Sequence, residues 1–295
     1  MKIVMIGGLG NQLFQLAYGH ITSTKPKSLK IYKDIHARLD RPYDVYPFIS
    51  ECIHFKEMKF NESIRVDYKI RLIRKVIYKK LNMLASFLQK LLRVNYELEP
   101  FHYTEKELVK YNSKKVSYGI FQHWKYVEMV WGTFGIEIEN ALKNVTLPKS
   151  LSEFVSRSLV IHIRQGDYVD VKSTFGVLSS SYYENLLKVY ADRFFGRSII
   201  VVTNDIVGAR KTLLNVKVDV FYGPKELGSW ETLKLMSIAP ILITANSSLS
   251  WWGAFIASKA GAEVYMPNPW FKDLYDWPRD AYYFPQAHLV QSDFI

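Results

Sequence analysis

From about Ser158 onward, short apolar segments alternate with longer amphipathic ones. The strand-like segments are SLVIHIR, SIIVVTND, VDVFYG, ILITAN and EVYMPNP. The helix-like segments between them are SYYENLLKVYADRF, IVGARKTLLNV, SWETLKLMSIAP and SLSWWGAFIASKAG. Short strands separated by longer helices are typical of βαβ units and a parallel sheet. The pattern therefore predicts a Rossmann-like α/β domain over residues 151–295.

The N-terminal part repeats this pattern less regularly. Strand KIVMI leads through the glycine turn GGLG into a helix from Asn11 to about Ser23, and strand SLKIYKD ends at Asp34. Another βα-like segment follows near VSYGIFQHWKYVEMV. We therefore expect a second α/β domain over residues 1–150. The C-terminal tail of the chain could return to pack on this domain. Two such domains facing a central cleft would place a ligand in that cleft.

Residues 68–95 combine apolar residues in steps of three or four with strong positive charge. The apolar positions are Ile70, Ile73, Ile77, Leu81, Leu84, Leu88 and Leu91. The segment holds eight of the 39 basic residues and no acidic one, so most of the net charge of +11 is local. We favour a surface helix packed on the N-terminal domain over a membrane-surface element, although the amphipathic pattern does not separate the two. A nucleic-acid role ranks below both.

Composition narrows the class of protein. The chain of 295 residues is 48% hydrophobic and 15% aromatic, which is ample for packed cores. Cys52 is the only cysteine, so no intrachain disulfide can form. The first apolar run breaks at glycines, and no run of about 18 apolar residues occurs. We therefore expect a cytoplasmic protein.

The stretch VIHIRQGDYV places charged groups at the end of an apolar strand. His162 and Arg164 share one face of this strand, and ligands bind at the carboxyl ends of parallel strands. Arg164 suits a diphosphate, whereas His162 could bond a phosphate or orient the loop. Asp167, after Gly166, could accept from backbone amides or from Arg164. The alternative is a buried Arg–Asp pair that only pins a turn.

Two further segments offer groups for an anion. In ITANSSLSWWGAFIA, the helix begins among Ser247, Ser248 and Ser250, where amides favour a phosphate, but simple capping explains serine equally well. The two tryptophans that follow are interpreted as core rather than as a substrate platform. GGLGNQ lacks the third glycine of the dinucleotide fingerprint. It still brings backbone amides, Asn11 and Gln12 near the predicted cleft.

Several motifs are absent from the sequence. It contains no phosphate-binding Gly-x-x-x-x-Gly-Lys-Ser/Thr loop, no Gly-x-Ser-x-Gly elbow, no paired-His metal motif and no Asp-x-Asp pair. Charge on a leaving diphosphate would then have to be met by Arg164 and helix-end amides.

Three motifs together resemble the α-1,2-fucosyltransferases of glycosyltransferase family 11. They are GGLGNQLFQLAYG, HIRQGDY and NSSLSWWGA, supported by GIFQHWKYV, VVTND and ETLKLMS. The resemblance covers most of the chain except the basic helix and the region after about Phe271. It implies a GT-B-like architecture, with GDP-β-L-fucose held mainly by the C-terminal domain. It also implies inverting transfer to a galactoside as an α-1,2 linkage, with no metal or other cofactor.

The resemblance also implies roles for individual residues. Arg164 is expected to grip the departing diphosphate, and Asp167 and Asp34 are candidate general bases, although a cap or loop role is the alternative for each. A loose transition state could also need no strong base. The implied donor-binding residues are His162, Arg164, Asn204, Asn246, Ser247, Ser248, Ser250, Gly10 and Asn11. The implied acceptor-binding residues are Gln12, Asp34 and Trp124.

One position departs from the family pattern, since Gln165 stands where a second arginine is usual. Successive strand-end residues point to opposite sides, so we expect this change to be tolerated. The expected partners are GDP-fucose and a galactose-terminated oligosaccharide, with no nucleic acid. A lipid-linked glycan at the inner face of the cell membrane is one candidate acceptor, with peripheral contact through the basic helix. The rivals are another GDP- or UDP-sugar transferase and a non-catalytic glycan- or nucleic-acid-binding protein.

Overall fold

A computed structural model describes residues 2–22, 29–33, 44–45, 55–57, 60–78, 81–96, 116–170, 172–173, 175–189, 195–216, 220–224, 227–272 and 279–295. The chain divides into two compact units, Met1–Ala141 and Leu142–Ile295. The division falls within the last turn of a helix, somewhat before the boundary near residue 150 that the sequence predicted. None of the helices in the described ranges combines the length and apolarity needed to cross a lipid bilayer.

The first unit is built on a parallel sheet whose strand order is β3-β2-β1-β5-β4. The strands are β1 (Lys2–Met5), β2 (Leu29–Lys33), β3 (Phe55–Glu57), β4 (Val94–Tyr96) and β5 (Val116–Tyr118). The described helices are α1 (Leu9–Thr22), α2 (Phe60–Tyr78), α3 (Asn82–Leu92) and α4 (Trp124–Asn144). The chain turns from β1 into α1 at Gly7, whose φ of 76° is a conformation that glycine adopts without strain.

The basic segment forms two helices rather than the single continuous one that the spacing predicted. Leu81, with φ of −92° and ψ of 65°, interrupts the helical backbone before α3 begins. From α2, Val66, Ile70 and Ile73 pack with strand residues of the first sheet. After the interruption the helical register is reset, so Leu88 and Leu92 pack inward. Three predicted face positions, Leu81, Leu84 and Leu91, are therefore exposed.

The second unit is a larger parallel sheet with the strand order β11-β10-β9-β6-β7-β8. Its strands are β6 (Leu159–Ile163), β7 (Ile199–Thr203), β8 (Val220–Tyr222), β9 (Ile241–Ile243), β10 (Glu263–Asn268) and β11 (Ala287–Gln291). Its described helices are α5 (Lys149–Val155), α6 (Asp167–Asp170), α7 (Ser180–Val189), α8 (Ile206–Thr212), α9 (Ser229–Ser237) and α10 (Ser248–Lys259), with a 3₁₀ turn at Arg279–Ala281. The predicted α/β class with parallel sheets is confirmed.

The C-terminal tail extends the second sheet. Strand β11 pairs in parallel with β10, and Leu178 forms an antiparallel bridge with Phe294. The Ser179 amide donates to the Asp293 carbonyl oxygen at 3.0 Å, and its hydroxyl donates to the Asp293 carboxylate at 2.7 Å. These bonds are made within the second unit, to which residues 142–295 belong. The return of the tail to the N-terminal domain stays a prediction.

Helix α10 lies in the core of the second unit. Trp251 and Trp252 are fully buried, and the Trp251 ring stacks on Phe255 at a centroid distance of 5.0 Å. The Trp251 indole nitrogen donates to the Tyr282 carbonyl oxygen at 2.6 Å. The prediction that both tryptophans are core residues is confirmed. Helices α9 and α10 approach closely at Gly253, where an added Cβ would lie 2.6 Å from the Cβ of Met236.

This close approach predicts opposite effects of alanine at two helical glycines. Gly253→Ala should destabilise the protein by about 1–3 kcal/mol, because the new methyl group overpacks against Met236 near its backbone. Gly132→Ala is the matched control, since a Cβ there meets nothing within 4 Å. It should stabilise α4 by about 0.5–1 kcal/mol. Thermal unfolding of both variants checks this, and equal midpoints would contradict the packing described for Gly253.

Candidate functional site

Three chain segments that carry candidate residues leave the second sheet at one edge. Strands β9, β6 and β7 are neighbours and run parallel, so their carboxyl ends lie side by side. The segment after β6 carries Arg164, the segment after β7 carries Asn204, and the segment after β9 carries Asn246. Hydrogen bonds join these three segments.

His162 lies near the end of β6 and is buried in the sheet, with 2% of its surface exposed. Burial, and then the charge of Arg164, lower the pKa of His162 to about 3. The imidazole is therefore neutral near pH 7 and adds no positive charge for a phosphate. Its Nδ1 has no hydrogen-bond partner among the described residues. A neutral imidazole still carries one N–H donor, so the two roles considered from the sequence, bonding a phosphate and orienting the loop, both stay predictions.

Arg164 is partly buried and lies over an aromatic ring. Its guanidinium carbon is 5.7 Å from the centroid of the Tyr168 ring, a cation–π geometry. The Tyr168 hydroxyl donates to the carbonyl oxygen of Asn246 at 3.1 Å. Tyr168 therefore connects the arginine to Asn246, two residues before α10. Tyr168 belongs to the motif HIRQGDY, but no role was predicted for it from the sequence.

Gln165 faces away from the predicted donor side. It is buried, and its Nε2 donates to Thr212 Oγ1 of α8 at 2.6 Å. An added Cβ at Gly208 would collide with the Gln165 Oε1, so this side chain is closely enclosed by α8. Gln165 thus packs against α8, and the tolerance of this position to the loss of arginine stays a prediction.

The Asn204 side chain holds the backbone of this loop. Its Oδ1 accepts from the Gln165 amide at 3.2 Å, and its Nδ2 donates to the Gln165 carbonyl oxygen at 3.4 Å. Gly166 follows with φ of 55°, and a Cβ there would lie 2.5 Å from Asn204 Nδ2. The loop therefore needs glycine at this position. These bonds give Asn204, predicted to bind the donor, a positioning role.

The segment before α10 is also fixed by side-chain bonds to backbone. Asn246 is buried, and its Nδ2 donates to the carbonyl oxygens of Phe175 and Gly176 at 3.0 and 3.1 Å. Its Oδ1 has no hydrogen-bond partner within the described part of the chain. The buried Ser250 hydroxyl accepts from the Ala245 amide at 3.1 Å. Asn246 and Ser250 thus hold the turn that leads into the helix.

The other two serines open α10. Ser247 is the N-cap residue, with extended backbone and no side-chain capping bond. Ser248 is the first helical residue and is partly exposed. Simple capping, the alternative considered from the sequence, therefore does not account for the Ser247 hydroxyl. The first amides of α10 lie beside the peptide that Tyr168 contacts.

In the first unit, the predicted residues lie around the glycine turn after β1. Gln12 is buried, with its Nε2 donating to the Gly7 carbonyl oxygen at 2.7 Å and its Oε1 accepting from the Val45 amide at 3.2 Å. Both ends of this amide thus bond backbone groups, which positions the turn, and the acceptor contact of Gln12 stays a prediction. Gly10 lies within α1, and Asn11 is partly exposed.

The loop after β5 lies against the same turn. The Gln122 Nε2 donates to Asn11 Oδ1 at 2.7 Å. Gln15, which the sequence analysis did not single out, is fully buried and bonds the Ile6 amide at 3.1 Å and the Gly119 carbonyl oxygen at 2.8 Å. Trp124 begins α4 and is partly exposed. The structure therefore brings Asn11 and the loop before Trp124 together within this unit.

Two predicted general bases cannot be placed at this site. Asp34 and the side chain of Asp167 lie outside the part of the chain that the structure describes, although the backbone of Asp167 begins α6. Their roles stay predictions.

Comparison with known proteins identifies the class. The model of glycosyl transferase family 11 matches residues 1–283, so the chain belongs to this family of sugar-transferring enzymes. Two proteins of Escherichia coli are similar over most of their length. An alpha-1,2-colitosyltransferase is 27% identical over 295 residues, covering 91% of each chain. The O-antigen biosynthesis glycosyltransferase WbnK is 27% identical over 294 residues, covering 92% of this chain and 95% of that protein.

Among solved structures, the E. coli ADP-heptose LPS heptosyltransferase II matches with a TM-score of 0.46 and 12% sequence identity. The match covers 98% of this chain and 90% of that one.

The buried, neutral His162 predicts a pH dependence of stability. The unfolded chain takes up a proton at this residue near pH 6.5, whereas the folded protein does so only near pH 3. The unfolded state therefore binds more protons between these values, and stability falls as the pH drops below 6.5. At pH 5 this contribution amounts to about 2 kcal/mol.

Urea unfolding of the wild type and of His162→Gln at pH 8 and pH 5 measures this effect. Glutamine does not titrate, so the variant should lose about 2 kcal/mol less than the wild type on acidification. Any constant cost of the substitution is present at both pH values and cancels. An equal loss in both proteins would mean that the imidazole is not held neutral.

Proposed function

We propose that the protein transfers L-fucose from GDP-β-L-fucose to the 2-hydroxyl of a terminal galactose on an oligosaccharide. The transfer forms an α-1,2 linkage with inversion and needs no metal ion. Family membership supports sugar transfer, and the finer assignment of donor and acceptor rests on the motifs around Arg164 and Asn246. The observation that carries the proposal is the Tyr168 side chain, which lies under the Arg164 guanidinium and donates to the Asn246 carbonyl oxygen.

In the proposed reaction, the acceptor oxygen forms a bond to the anomeric carbon of fucose from the side opposite GDP. The bond from that carbon to the phosphate oxygen breaks, and its electron pair leaves with GDP. The proton of the acceptor hydroxyl passes to a base, for which Asp34 and Asp167 are candidates. Negative charge therefore develops on the diphosphate, where a fixed cation and fixed dipoles stabilise the transition state most.

Arg164 and the first amides of α10 are the groups proposed to meet this charge. A guanidinium is permanently charged and its planar fork matches a phosphate. The N-terminus of a helix attracts anions because its first amides and the macrodipole point toward them. Because His162 is neutral, it adds no positive charge at the end of β6, and the Arg164 guanidinium supplies the charge there. Asn204 and Asn246 hold the two loops, so that little reorganisation is needed when the donor binds.

A second donor is favoured by the similarity to an alpha-1,2-colitosyltransferase. Colitose is the 3-deoxy form of L-fucose, so the two donors differ by a single hydroxyl group. A site that bonds the 3-hydroxyl would reject the deoxy sugar strongly, because its own polar group would be left unpaired. A site without that bond would accept both. The ratio of the kcat/KM values for the two nucleotide sugars therefore distinguishes these donors.

Arg164→Ala should lower kcat by about 100- to 1,000-fold, since it removes the cation from the leaving diphosphate. Arg164→Lys should fall between wild type and alanine, because lysine keeps the charge but loses the planar fork. Arg210→Ala is the matched control. The Arg210 guanidinium carbon also lies over a tyrosine ring, 5.1 Å from the Tyr222 centroid, but Arg210 is exposed on the surface of α8. This control should leave turnover near the wild-type value.

Circular dichroism checks that each variant is folded. Normal turnover by Arg164→Ala would show that this residue does not stabilise the leaving diphosphate.

The donor and acceptor are tested by incubating the protein with GDP-fucose, GDP-mannose, UDP-galactose or the colitose nucleotide and a panel of β-galactosides. We expect α-1,2-fucosylated product, identified by NMR linkage analysis, and equal rates with and without EDTA. Turnover of only a UDP-sugar or of GDP-mannose would overturn the proposed donor. A linkage to another hydroxyl would overturn the proposed acceptor position, and loss of activity in EDTA that Mg²⁺ or Mn²⁺ restores would overturn metal independence.

A further inference from the structure

Helix α3 carries an apolar arc that is wider than the face it turns toward the core. Its inward face carries Ala85, Leu88 and Leu92, of which Leu88 and Leu92 pack on the core of the first unit. Its outward face carries Met83, Phe87 and Leu91, which recur every four residues and so form one stripe along the helix. These three side chains are 90%, 60% and 64% exposed. Ser86, Gln89 and Lys90 occupy the remaining side of the helix. An apolar arc wider than the stripe of about 100° that packs on one core leaves apolar side chains for a second partner to cover.

Further apolar and basic residues border this stripe. We call the stripe and these bordering residues together the α3 surface. Leu81 and Leu84 are also exposed. Lys90 and Arg93 are exposed at the C-terminal end of the helix, and the Lys69 ammonium donates to the Leu92 carbonyl oxygen at 3.3 Å. In the sequence, Lys79 and Lys80 precede the helix, and no acidic residue occurs between Tyr68 and Asn95. The α3 surface therefore presents apolar side chains together with net positive charge.

We propose that the α3 surface docks on a membrane containing anionic lipids, with Met83, Phe87 and Leu91 inserted at the level of the headgroups. An interfacial helix of this kind buries large apolar residues at the boundary of the acyl chains, while lysine and arginine contact anionic headgroups. No helix in the described ranges could span the bilayer, so the proposed contact is peripheral. It also gives the enzyme direct access to an acceptor carried on a lipid, a consequence that rests on the proposed function.

Charge favours this occupant over the others. Two copies of the protein joined through their α3 surfaces would bring the cations of residues 68–95 together with no acid from that segment to pair them. A nucleic acid would match the cations but not a stripe of methionine, phenylalanine and leucine, because phosphate recognition uses polar and basic groups. An anionic bilayer satisfies both the charge and the apolar side chains.

The test is sedimentation of the full chain with two kinds of vesicle, phosphatidylcholine alone and phosphatidylcholine with about one third phosphatidylglycerol. We expect binding to the anionic vesicles that weakens at high salt, because exposed charges are screened. Phe87→Ser/Leu91→Ser should weaken this binding at least about tenfold, since two large apolar side chains no longer insert. Phe195→Ser/Leu214→Ser is the matched control in the second unit, where these residues are 89% and 80% exposed. It should bind like the wild type.

Charge is tested separately with Lys90→Glu, which should lower binding to anionic vesicles severalfold. The control is Lys188→Glu, an exposed position on α7 of the second unit, which should bind like the wild type. Transfer to a soluble galactoside should be unchanged in all four variants, so failure of the proposed reaction is distinguishable from failure of membrane docking. Absence of wild-type binding to anionic vesicles, or equal binding by Phe87→Ser/Leu91→Ser, would overturn the proposal. A dimer in light scattering that this variant dissociates would instead assign the surface to a second copy.

Discussion

The carboxyl ends of neighbouring parallel strands share one edge of a sheet, and this constraint crowds several irregular backbone segments into a small volume. Each peptide group there must find a hydrogen-bond partner outside the ladder. In the second unit the partners are amide and hydroxyl side chains. Asn204 bonds the Gln165 peptide, Asn246 bonds two carbonyl oxygens near residue 175, and Ser250 bonds the Ala245 amide. The polar motif residues thus build the frame on which Arg164 is held.

The alternation of strands and helices could be predicted because its periodicity is strong. Strands β6, β7 and β9 are short apolar runs bounded by polar or small residues. Helix α10 carries two adjacent tryptophans, and such large apolar side chains favour a buried helix. The division of the basic segment into α2 and α3 could not be predicted, because apolar residues continue at helical spacing across Leu81. Only the packing of Leu88 and Leu92 reveals which face of the second helix turns inward.

The candidate site was predictable to a different extent at each residue. Arg164 could be identified from the sequence because it directly follows an apolar strand. A charge held near buried residues is costly unless a partner or a ligand pairs with it. The neutrality of His162 depends on its depth in the sheet, which sequence does not give. Asn204 bonds a peptide 39 residues earlier in the chain, and only the sheet order makes them neighbours. The family motifs contain these residues without distinguishing those that hold backbone from those that face a substrate.

Strand β11 and the bridge between Leu178 and Phe294 affect the order in which the nascent chain can fold. The first unit ends at Ala141, so all of its own residues are synthesised before the second unit begins. The second unit must wait longer, because the loop that carries the Asn246 partners is secured by residues 293 and 294. Until then the outer edge of β10 is unpaired, and an unpaired strand edge can associate with other chains.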